Sequence, residues 1–177
     1  MRIITLILAS GAAALATAPA FGHDTNTNTN TNTNTNRAFA EVRQATAKYH
    51  NVDRALQDGY VRVSDCVEVP GVGAMGYHYL NRALAKDPAI DPRKPEQLLY
   101  APKPGGGLRL VGVEYFKVDA DQDSSTDDDR PTVAGLPLEG PMPGHGPGMP
   151  VHYDLHVWLW KHNPNGTFAQ FNPNVNC

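Results

Sequence analysis

The stretch VHYDLHVWLW leaves the chain little freedom of local structure. Its odd positions are Val151, Tyr153, Leu155, Val157 and Leu159, and its even positions are His152, Asp154, His156, Trp158 and Trp160. The i, i+4 spacing of the two histidines also fits a helix. The strict period of two, the Val and Trp content and Pro150 in front predict instead a strand over residues 151–162. On such a strand His152, Asp154 and His156 project from one side, about 7 Å apart at each step. One face packs, and the other must accommodate two imidazoles and a carboxylate.

The remaining elements follow from similar patterns. Phe39, Val42, Ala45, Tyr49, Val52, Leu56 and Tyr60 recur at steps of three and four, predicting one amphipathic helix from Ala38 to a stop at Gly59. YVRVSDCVEV (60–69) and AMGYHYL (74–80) read as strands, with Met75, Tyr77 and Tyr79 on one side of the second and His78 on the other. QLLYAP and LRLVGVEYFKV flank a glycine-rich KPGGG and predict a hairpin. In its second strand Glu114 shares a face with Leu110, Gly112 and Phe116. An irregular acidic and Pro/Gly-rich insertion spans about 119–150, and NPNG (163–166) supplies a turn that lets TFAQF pair back. These elements predict an α+β domain, an N-terminal amphipathic helix packed on a curved, mostly antiparallel sheet. A small antiparallel β-barrel is the alternative.

The termini and cysteines bound the setting. Residues 1–20 combine a charged start, a short apolar core and the small-residue run APA, the pattern of a cleaved export signal. Residues 21–36 are expected to be a disordered spacer before a globular domain at 37–177, since the six Thr-Asn pairs at 25–36 have nothing apolar to bury. No later stretch is apolar enough to span a membrane. In an oxidising compartment the two cysteines, Cys66 and Cys177, are expected to form a disulfide. The net charge of −3 comes without a basic stripe, which argues against nucleic acid as a partner. Phosphate-loop and dinucleotide fingerprints are absent, so no nucleotide cofactor is expected.

Imidazole suits zinc, copper, iron or nickel, and a third ligand usually comes from a neighbouring strand. His152 and His156 are therefore candidate metal ligands, with His78 the natural third and His145 a residue that can close over them. Glu114 and Asp154 are candidate further ligands, second partners fixing a His tautomer, or proton carriers if the protein is an enzyme. Trp158, Trp160 and Tyr79 are candidates to line a ligand pocket. Each of Met75, Met142 and Met149 stands three residues before a histidine, and thioether with imidazole is a copper-type set, although gap filling is the commoner role of Met. The Asp119, Asp121, Asp123 run lacks the glycine and the twelfth-position acid of a calcium loop and reads as a solvated acidic loop.

The segments PGVGAMGYHYLN, PEQLLYAPKPGGGLRLVGVEYF and YDLHVWLWKHNPNGTFAQFNPNVNC resemble a group of uncharacterised bacterial exported proteins, over roughly residues 38–177. The resemblance implies no activity and carries over no catalytic residue. It implies that the spacer and the 119–135 segment are additions to a common domain. Three readings stand at this point: an exported domain binding a transition metal, copper or zinc, through strand histidines, with metal-dependent catalysis an extension of it; a module binding a small organic molecule; and a structural envelope protein.

Overall fold

The structure is a computed structural model that describes residues 25–146 and 148–177, with side chains from Thr33 onward. The expected export signal lies outside the described residues. The elements are helix α1 (Thr25–Thr46), a 3-10 turn (Ala47–His50), α2 (Val52–Gln57), β1 (Tyr60–Arg62), β2 (Val67–Val69), β3 (Gly73–Asn81), α3 (Arg82–Lys86), β4 (Gln97–Pro102), β5 (Leu108–Val118), β6 (Thr132–Val133), β7 (Leu136–Pro137), β8 (Glu139–Met142) and β9 (His152–Val157). Seven strands form an open sheet in the order β1-β3-β4-β5-β9-β8, with β2 also paired to β3, while β6 and β7 make a separate ribbon. Every pairing is antiparallel. The architecture is α+β, and β1 and β8 stand at opposite ends of the sheet rather than closing a barrel.

The predicted single helix is broken. Phe39, Val42 and Tyr49 bury one stripe, but Asn51 adopts an extended conformation and its side chain accepts the Asp53 N–H, starting α2 afresh. Upstream, α1 reaches back to Thr25, through the Thr-Asn pairs expected to be a disordered spacer. Thr and Asn are poor helix formers, so this part of the helix extends the register of the packed part downstream. Thr35 Oγ1 donates to the Ala134 carbonyl, tying it to the segment between β6 and β7.

The helix-side face carries the main core, including Tyr79, Leu98, Tyr100, Val113, Tyr115, Tyr153, Leu155 and Val157. On the opposite face Ala74, Leu99, Ala101, Val111, Trp158 and Val175 make a smaller core. A bulge separates the register pairs Leu99↔Gly112 and Tyr100↔Leu110. The extra residue, Val111, joins the smaller core and Leu110 turns to the helix side, so Leu110 does not share the Glu114 face.

Two other expectations change. YVRVSDCVEV forms two short strands, β1 and β2, rather than one. TFAQF forms no strand; NPNG does turn, with Gly166 N–H donating to Asn163 O, but the backbone pairing back is limited to Thr167 O, accepting from Trp158 N–H. The last segment is fixed by asparagines instead. The buried Asn163 and Asn172 donate to the carbonyls of Phe171 and His162, and Asn172 forms a bridge with Ala74. Cys177 then bonds to Cys66, with Cα atoms 5.7 Å apart and a sequence separation of 111.

Candidate metal centre

The face away from the helix holds a band of titratable side chains because three strands place alternate residues there. Register pairs Glu114 on β5 with both Gln97 on β4 and His156 on β9, and pairs Phe116 with Asp154 and Val118 with His152. His78 arrives from β3, opposite Leu99, one step along the sheet. It reaches Glu114 diagonally across β4, where Leu99 pairs with Gly112 and Gln97 with Glu114. A Cβ on Gly112 would stand 2.8 Å from the Val157 carbonyl oxygen.

His78, Glu114 and His156 converge. Glu114 Oε2 lies 3.3 Å from His78 Nε2 and 3.6 Å from His156 Nε2. The three side chains are only 12%, 4% and 2% exposed. Supporting groups fix each of them from behind. Gln97 Nε2 donates to Glu114 Oε1 at 2.6 Å, leaving Oε2 to face the histidines. Ser64 Oγ accepts the His78 backbone N–H and sits 3.1 Å from His78 Nδ1, so it can take the Nδ1 proton and leave the Nε2 lone pair inward. Yet Glu114 Oε2 and His156 Nε2 are buried without a hydrogen-bond partner.

The electrostatics of the two histidines match ligand chemistry. Burial pushes the His78 imidazole down to about 3, with His156 acting the same way, and burial lowers His156 too. Both rings are held neutral, the form that coordinates. Burial and then the Asp154 charge raise the Glu114 carboxyl well above its ordinary value, against the opposing Gln97 hydrogen bond. Among the described residues no Lys or Arg forms an ion pair with Glu114 or Asp154.

His152 sits further along the same face. Its Nδ1 is 3.0 Å from the Pro150 carbonyl oxygen, its ring stacks on Phe116, and its Nε2 lies 3.8 Å from Asp154 Oδ2. His145, exposed on the loop after β8, brings its ring to 5.1 Å from that of His152. The candidate histidines thus divide into two groups, His78/Glu114/His156 and His145/His152/Asp154. Sequence reasoning had placed His78, His152 and His156 together. Met142 pairs in register with His152 on the neighbouring strand, whereas Met75 is buried.

The aromatic candidates lie elsewhere. Tyr79 is adjacent to His78 and so faces the helix-side core, its ring against Tyr100. β9 ends at Val157, ahead of both tryptophans. Trp158 keeps the far face but fills the smaller core, its Nε1 donating to Ala169 O. The N–H groups of Trp160 and Lys161 both turn to Val111 O, which carries Trp160 to the helix side beside His50. None of the three lines the cavity beside the histidine band. That cavity, about 450 Å³, is bounded by Leu80, Gln97, Phe116, Val118, Met149 and Pro150, among others. Ser64, Gln97 and Pro150 are the supporting residues that sequence reasoning missed. A hydroxyl, an amide and a carbonyl carry no motif, and only the register reveals their partners.

Comparison with protein-family models, with curated proteins and with solved structures finds no match.

Proposed function

We propose that this protein binds a divalent transition metal at His78, Glu114 and His156, in a compartment outside the cytosol. The observation that carries the reading is the pair of distances at Glu114 Oε2, 3.3 Å to His78 Nε2 and 3.6 Å to His156 Nε2, with Glu114 Oε2 and His156 Nε2 both buried and without a hydrogen-bond partner. Ligands about 2.0–2.1 Å from a tetrahedral zinc stand about 3.4 Å apart, which matches the two distances at Glu114 Oε2, and all three ligand atoms lie within 4.8 Å of one another. Two imidazoles and one carboxylate suit zinc or copper(II) better than calcium or magnesium, which take oxygen ligands. A carboxylate buried without a cation is costly, and a metal ion offsets that cost. Three protein ligands leave a fourth tetrahedral position for water or a small molecule, and the neighbouring cavity offers room for one. The Cys66–Cys177 disulfide fits an oxidising compartment, and no described helix is long and apolar enough to cross a membrane.

The test is zinc(II) uptake by chelator-treated protein, read by calorimetry, beside a Glu114→Gln variant. Gln keeps the shape and an oxygen for Gln97 but removes the anion. Binding weakened at least about a hundredfold in the variant, with far-UV circular dichroism unchanged, is the expected result. Wild-type protein that takes up no zinc, copper or cobalt would sink the reading.

A further inference from the structure

We propose that His145, His152 and Asp154 form a second, solvent-facing cation site, and that Asp154 joins it to the buried one. The inference rests on the metal-binding reading above but concerns different ligands. His152 and Asp154 are 0% and 1% exposed, and His152 Nε2 and Asp154 Oδ1 have no hydrogen-bond partner. A carbonyl oxygen only accepts, so the Pro150 contact puts the ring proton on Nδ1 and leaves a lone pair on His152 Nε2. That lone pair faces Asp154 Oδ2 across 3.8 Å, and Phe116 stacked on the ring fixes its plane. Two acceptors held face to face in a dry site require something positive between them. His145 completes the group, one ligand atom from each residue lying within 4.8 Å of the others.

Asp154 has a second contact. Its Oδ1 stands 3.9 Å from His156 Nδ1, while His156 Nε2 points at Glu114. The carboxylate therefore lies between the two groups, a ligand on one side and a negative charge beside an imidazole of the buried site on the other. Carboxylates placed behind a metal-bound histidine raise its basicity and fix its tautomer. The outer site is open through His145, whereas the most exposed side chain of the buried site is 12% exposed. It is thus the place where an incoming ion first meets the protein. The cation class is the same, a borderline divalent ion favouring imidazole with one carboxylate. With an exposed ligand, the outer site holds it more weakly.

Cobalt(II) and zinc(II) titrations of chelator-treated full-length protein test this. The wild type is expected to bind two equivalents, one tight and one weaker. His145→Ala, a change at an exposed loop residue that leaves the fold intact, should lose the weaker equivalent and keep the tight one. Asp154→Asn should lose the weaker equivalent and also loosen the tight one by about ten- to a hundredfold. One equivalent in the wild type that His145→Ala keeps, or two that it leaves untouched, overturns the second site while the buried one stands; one equivalent that His145→Ala loses overturns the buried site and the link through Asp154. No uptake at all overturns both.

Discussion

Glu96 lies beside the histidine band without belonging to it. Its carboxylate accepts the Phe116 N–H at 3.2 Å, and burial pushes its pKa from 4.5 up to about 7. The native state then holds a proton that the unfolded chain has released between those values. Native stability contributed by this group is full below about pH 4.5, falls as pH rises toward 7, and stays low above it. Glu96→Gln keeps an acceptor for Phe116 and should raise stability at pH 8 by about 2–3 kcal/mol while leaving it unchanged at pH 4. Urea denaturation of both proteins across that range measures the difference; equal gains at both ends would refute the titration account. At this scale the sequence was informative about the residues but not their grouping. His78, Glu114, His145, His152, Asp154 and His156 all stand out by residue type. Which imidazole meets which carboxylate depends on strand order and register, and alternation along one strand says nothing about its neighbours.

Among the elements, the hairpin of β4 and β5, the face assignment in β3 and the alternation of β9 were legible, because period-two burial is a local property. The bulge at Val111, the break at Asn51 and the turn after Val157 were not. The first and last are decided by tertiary partners, a second small core and a shared carbonyl at Val111, and the second by a local Asx cap that the helical period of its neighbours masks. Gly76 illustrates the same dependence. It has φ +87° in β3, and a Cβ there would stand 2.3 Å from the Tyr100 carbonyl oxygen on β4. Gly76→Ala must therefore strain the backbone and push apart the two strands that carry His78 and Gln97. It should cost at least about 2 kcal/mol and weaken zinc binding at the buried site. Chemical denaturation together with zinc calorimetry measures both; a fully stable variant with unchanged affinity would show that the sheet yields there easily.

Across the whole molecule, the segment after β9 has no strand of its own and depends on asparagine side chains, Trp158 and the disulfide. Closing a loop between cysteines separated by 111 positions contributes about 4–5 kcal/mol in the chain-entropy description. Replacing Cys66 and Cys177 by Ser should lower the unfolding free energy by up to that amount and leave zinc affinity within about threefold, since neither cysteine belongs to the ligand groups. Reductant should mimic the double variant and have no effect upon it. The buried site has a different reach. Its ligands come from β3, β5 and β9, while β4, between β3 and β5, contributes none and only steadies Glu114 through Gln97. A bound cation would consequently act as a rivet across the sheet, and β4 could peel away only after that rivet had been drawn.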